Sequence, residues 1–196
     1  MTRDDDRCAE HERFRRIDEA FKADDLAALR AAVEDAVEDV SAFPNSPMPL
    51  GIGTILTYAI YWSSLGFIEE LLAIGADPNG HDNDGFPPLI AALCKTNPQP
   101  GGKPRHDVVE VIARLLDAGA DPDQRGINDW TALMMAVVET NVEAVRLLLA
   151  RGADPALRTR IDDYETALDI AKAGAIRRPE RTGELAAIIE LLAGPR

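Results

Sequence analysis

Few residues of this 196-residue chain are arranged as reactive chemistry requires. Asp82-Asn83-Asp84-Gly85 carries the alternating oxygen donors of the middle of a calcium loop. Such a loop also needs an acidic residue at Gly80 and a Glu near Ala91, and both are missing. Asp162 and Asp163 are adjacent carboxylates that a hydrolase could use as an acid–base pair, yet no cofactor motif accompanies them. His11, His81 and His106 show no H-E-x-x-H or comparable ligand spacing. Cys8 and Cys94 are too few and too far apart for a disulfide framework or a zinc site. Cys94 closes the apolar run Leu89 to Leu93 and reads as a small hydrophobe in or beside a core. Gly51-Ile52-Gly53 lacks a third glycine, and neither a G-x-S-x-G elbow nor a P-loop is present. The expectation is a chain that is not an enzyme and uses no metal or cofactor. A metal-dependent hydrolase built on surface carboxylates is the remote alternative.

Composition narrows the partners. Twenty-one Lys and Arg against thirty-four Asp and Glu give 21 − 34 = −13, with a pI near 4.6. Nucleic-acid binding wants a basic face that displaces phosphate counterions, so this balance argues against it. A basic protein partner is the better match. Met1 to Arg16 is crowded with charge and has no apolar signal region, which places the chain in the cytoplasm by expectation. Leu50 to Ile68 is uncharged and about long enough to cross a bilayer. Thr54, Thr57, Ser63, Ser64 and three glycines interrupt it, so no membrane association is expected.

The elements that would position any site come from an internal repeat. Gly75-Ala76-Asp77-Pro78 returns as Gly119-Ala120-Asp121-Pro122 and Gly152-Ala153-Asp154-Pro155, each after a Leu pair. A Thr/Pro-x-Leu step marks Leu56, Leu89, Leu133 and Leu168. Leu56 to Leu89 is 33 residues, Leu72 to Leu116 is 44, and Leu116 to Leu149 is 33. The extra 11 fall around the Pro- and Gly-rich run Thr96 to Pro104, which reads as an extended loop. Each unit reads as two short helices. In the third, Ala132 to Val138 is apolar enough to be buried between neighbours. Asn141 then starts a second helix with Val142, Val145, Leu148 and Leu149 at helical spacing. Gly152 stands where a left-handed C-terminal residue is needed, and Pro155 prevents continuation. Neither helix can bury its stripe alone, so the units must stack.

Gly75-Ala76-Asp77-Pro78-Asn79 with Asp82-Asn83-Asp84-Gly85-Phe86-Pro87-Pro88-Leu89-Ile90-Ala91-Ala92 resembles the ankyrin repeat, whose pattern is G-A-D-x-N, then D-x-x-G-x-T-P-L-H-x-A-A. The resemblance runs over roughly residues 14–193 and implies an all-α fold, an ankyrin-repeat solenoid of stacked antiparallel helix pairs with β-turn or hairpin tips. The expected organisation is a charged tail (1–13), a degenerate N-terminal capping helix pair (14–46), repeat 1 (47–83), repeat 2 (84–127, inserted loop at about 96–105), repeat 3 (128–160) and a C-terminal capping repeat 4 (161–196). The family's His after T-P-L is Thr57, Ile90, Met134 or Asp169 here, which should remove a hydrogen bond and weaken each unit slightly.

In ankyrin proteins the partner is usually a protein, held by the tips and the ends of the first helices. Carried over position by position, the implied binding residues are Tyr61, Trp62, Asn83, Asp84, Phe86, Ile127, Asn128, Trp130, Asp162, Asp163, Tyr164 and Glu165. Val138 and Glu139 end the corresponding helix of repeat 3. Aromatic residues bury large area at low rotamer cost and serve as anchors. Acidic neighbours, with Asp129 counted among them, would steer a basic partner. The function expected is a non-catalytic protein–protein interaction module acting as a monomer. An immunity or inhibitor protein that neutralises a basic toxin enzyme is the alternative.

Overall fold

The computed structural model describes residues 3–35, 43–45, 53–80, 86–94, 105–160 and 164–194. Ten α-helices fall among them and form five pairs: α1 (Arg3–Lys22) with α2 (Leu26–Glu34), α3 (Ile55–Trp62) with α4 (Leu65–Ala73), α5 (Pro88–Leu93) with α6 (Val108–Asp117), α7 (Ala132–Val138) with α8 (Val142–Ala150), and α9 (Ala167–Arg177) with α10 (Thr182–Ala193). The first helices stack in one row, α1 on α3, α3 on α5, α5 on α7 and α7 on α9. The second helices form a parallel row from α4 through α6 and α8 to α10. The core runs between the rows as one continuous cluster from Ile17 to Leu192. No strand occurs among the described residues, and an isolated antiparallel bridge joins Arg158 and Thr166.

Local chemistry sets each boundary. Asp25, Thr54, Ser64, Thr131, Asn141 and Thr166 cap their helices by accepting a backbone N–H with the side chain. Gly75, Gly119 and Gly152 end the second helices at φ of 95°, 95° and 93°, a conformation that a Cβ would strain. After each, the Asp of Gly-Ala-Asp accepts from the amide two residues on: Asn79 for Asp77, Asp123 for Asp121, Ala156 for Asp154. These carboxylates hold their own turns.

A second ladder ties unit to unit. Asn45 donates to the Gly75 carbonyl and accepts from the Asp77 amide. Asn79 repeats the pair on Gly119 and Asp121. Asp123 keeps only half, accepting from the Asp154 amide, because a carboxylate has no N–H to donate. Pro44-Asn45 is therefore the counterpart of Pro78-Asn79, which extends the ladder into the capping pair despite its missing Gly-Ala-Asp.

Two expectations change. Helix α1 begins at Arg3, so residues 3–13 lie inside a helix rather than forming a tail. Ion pairs one turn apart, Arg15 with Glu12 and with Glu19, suit a solvated helix. Nor does the absent family His leave every unit short of a bond. Thr57 and Thr54 share a hydroxyl–hydroxyl hydrogen bond of 2.8 Å, and Asp169 closes a capping box with Thr166. Ile90 and Met134 fill the same position with buried apolar side chains.

Candidate partner-binding surface

The tip before α7 is the best defined. A single 3-10 turn spans Ile127–Asp129, and both Asn128 (φ 56°) and Asp129 (φ 61°) adopt left-handed backbone. Gly126 donates to the Trp130 carbonyl at 2.9 Å and Asp129 donates back to Gly126 at 3.0 Å, closing the turn. Asn128 is exposed at its apex. Trp130 lies half-buried against the core below, with the rest of its ring area on the surface.

Asp129 does not face outward as a free charge. Arg160 donates to its Oδ1 from Nε (2.9 Å) and Nη2 (2.6 Å), and Arg125 Nη1 donates to its Oδ2 at 2.7 Å. The Arg160 amide also donates to Oδ2. The hydrogen bond from Arg160 is the main reason its carboxyl is held below the usual carboxylate range. Its expected part in steering a basic partner is therefore corrected: both guanidinium groups already neutralise it, and it joins two tips of this chain.

The neighbouring tip is fastened the same way. Arg125 Nη2 donates to the Arg158 carbonyl (3.0 Å), and Arg158 Nη1 donates to the Tyr164 carbonyl (2.8 Å). Thr159 and Glu165 exchange hydrogen bonds of 3.0 and 3.1 Å. Tyr164, at φ 53°, leaves 60% of its area in solvent, and Glu165 is half-buried. Asn83, Asp84, Asp162 and Asp163 lie outside the described residues. Phe86 packs half-buried on the core just before the prolines that open α5.

At the other end, Tyr61 and Trp62 close α3 and are half-buried. Trp62 sits 6.1 Å from the Tyr58 ring, and the Lys22 ammonium stands 5.0 Å from its centroid. Lys22 pairs with Asp18 at 2.6 Å, and Asp18 accepts from the Tyr58 hydroxyl at 2.9 Å. Phe14 and Phe21 flank Tyr58, so much of this aromatic set joins the capping pair to the first repeat. Val138 and Glu139 are half-buried at the end of α7. Among the described residues, Trp130 and Tyr164 sit on neighbouring tips joined through Arg125 and Arg158, whereas Trp62 packs where the capping pair meets the first repeat.

Sequence reasoning missed the arginines that build the tips. Arg125 and Arg158 are 33 residues apart, so the repeat period could have found them. Arg160 carries no such signal. Among the described residues no group of three or more His, Cys, Asp or Glu is placed to hold a metal ion. No described helix is long and apolar enough to cross a membrane.

Comparison with known proteins agrees with this geometry. The family model described as ankyrin repeats (three copies) matches residues 103–176. Mitochondrial disaggregase of Bos taurus is 43% identical over 68 residues, 35% of this chain and 10% of that protein. Ankyrin repeat and KH domain-containing protein mask-1 of Caenorhabditis elegans is 31% identical over 122 residues, 62% of this chain and 4% of the relative. Ankyrin repeat and SAM domain-containing protein 6 of Mus musculus is 32% identical over 108 residues, 53% and 11% of the two lengths. The match therefore spans about a tenth or less of these relatives. Paired helices, left-handed Gly turns and the unit-to-unit ladder agree with the family match, and residues 103–176 of the chain are similar to ankyrin repeats.

Proposed function

We propose that this chain is a non-catalytic binding module that holds a basic protein partner along its tips and the ends of its inner helices. Ankyrin repeats are in general protein–protein interaction modules. The observation that carries the reading is Trp130. Its indole is half-buried on a turn already fastened by Asp129, Arg125 and Arg160, so an anchor stands ready without an ordering cost. Tyr164 extends the same rim. A net charge of −13 supplies attraction for a basic partner, although Asp129 contributes little to it.

The test is capture of partner by the wild-type chain and by Trp130→Ala, with folding checked by circular dichroism. Trp130→Ala should weaken capture by about 2 kcal/mol or more while the helical signal is kept. Undiminished capture by a Trp62→Ala/Trp130→Ala double variant would discard the assignment.

A further inference from the structure

Of the asparagines in the chain, Asn79 alone precedes a glycine. Such a pair can modify itself with water as the only co-reactant. The glycine amide nitrogen, which no Cβ shields, attacks the asparagine Cγ; the Cγ–Nδ2 bond breaks and ammonia leaves. Water then opens the cyclic imide to aspartate or, by attack on the other ring carbonyl, to isoaspartate.

In the stacked chain four hydrogen bonds oppose the first step. Asn79 Nδ2 donates to the Gly119 carbonyl at 3.0 Å and Oδ1 accepts from the Asp121 amide at 2.7 Å, which commits Cγ to the next repeat. Gln124 Nε2 donates to the Asn79 main-chain carbonyl at 2.7 Å and so fixes the torsion through which the Gly80 nitrogen must swing. That nitrogen is itself engaged, donating to the Asp77 carbonyl at 3.2 Å. Three of the four bonds cross the seam between the first and second repeats, so opening that seam frees the reacting groups together.

The third repeat shows what the product can and cannot do. Asp123, already a carboxylate in the ladder, accepts from the Asp154 amide at 2.9 Å and has nothing to donate to the Gly152 carbonyl. We infer that Asn79-Gly80 is a hydrolytic modification site that the stack holds shut, with Gln124 as its guard. It converts to a carboxylate when the seam opens, and the product, unable to donate to Gly119, leaves that seam weaker. Isoaspartate adds a carbon to the main chain and displaces the turn further.

The full chain is incubated in mildly alkaline buffer, with and without urea, and conversion at each asparagine is followed by peptide mapping and mass spectrometry. In urea Asn79 should convert fastest, and in the native chain at least about tenfold more slowly. Gln124→Ala should speed native conversion by about fivefold, the worth of one hydrogen bond. Asn45, which makes the same two ladder bonds to Gly75 and Asp77 but precedes Ser46, should keep its native-to-urea ratio, which separates local opening from general unfolding. A Cβ at Gly80 would meet the Asp77 carbonyl oxygen at 3.4 Å and Thr54 Cγ2 at 3.5 Å, ordinary contacts. Gly80→Ala should therefore keep the fold and slow conversion in urea by about tenfold. Chains converted at Asn79, separated by their added charge, should unfold at lower urea concentration than unconverted ones. The inference is overturned if Asn79 converts in urea no faster than Asn45, or natively as fast as in urea. An unchanged native rate in Gln124→Ala, or equal urea midpoints of converted and unconverted chains, overturns it as well.

Discussion

Asn79 grips the turn of the next repeat at two points, donating to the Gly119 carbonyl at 3.0 Å and accepting from the Asp121 amide at 2.7 Å. The same side chain thus satisfies a donor and an acceptor of a turn 40 residues away. Asn79→Ala should lower stability by about 1–3 kcal/mol through loss of both bonds. Asp123 makes only the accepting half of the contact. Asp123→Asn should restore the donor and raise stability by about 0.5–1 kcal/mol. Urea unfolding of the two variants, at unchanged m-value, checks both signs.

Arg105 is 13% exposed and donates to two carbonyls while its Nε lies 2.8 Å from Asp107. Arg105→Ala should cost about 2–3 kcal/mol, since charged donors to backbone are worth more than neutral ones and their loss leaves buried acceptors. Arg105→Lys should not recover the wild-type value, because one ammonium cannot follow the fork. Thermal unfolding of the three proteins separates these outcomes.

Acid should loosen the third and fourth tips. Hydrogen bonds from Arg160 keep the Asp129 carboxyl low, and bonds from the backbone and side chain of Thr166 keep that of Asp169 low. A carboxyl whose folded pKa is depressed contributes stability that is fully present above its unfolded value, about 3.9, and lost as pH falls through the folded value. Melting temperature should therefore decline below about pH 4, and less steeply in Asp129→Asn, which begins lower. A parallel decline in both proteins would show that the clasp carries no linked proton.

Burial, aided by the Glu139 carboxylate, pushes the Cys94 thiol up to about 11. In a Cys8→Ser background, Cys94 should react slowly with a disulfide reagent near neutral pH. The rate should rise with pH well beyond that of an exposed thiol, and denaturant should abolish the protection.

Much of this fold was legible because helix endings and starts use residues with few substitutes. Gly75, Gly119 and Gly152 must reach positive φ, and Thr54, Thr131 and Thr166 must cap. Those residues recur in phase and expose the period. The capping pair was harder to read: Asn45 and Asn79 are 34 apart, one beyond the period, and the Gly-Ala-Asp between helix and ladder is missing. The proposed binding rim was legible only in part. Trp130 stands 44 residues after Phe86, one period plus the inserted 11, but its environment depends on Arg160 reaching Asp129 across 31 residues, a pairing with no local signature. Charge counting consequently overstated the acidity of that rim.

Helices α5 and α6 pair like their neighbours although their connection is longer by 11 residues, most of them between Cys94 and Arg105. The glycine turns and the asparagine ladder lie at the opposite end of each helix pair, so lengthening this connection leaves the stacking phase intact. That edge is accordingly the natural port for grafts: a reporter peptide or an affinity handle spliced there would ride on the array without altering how its modules nest.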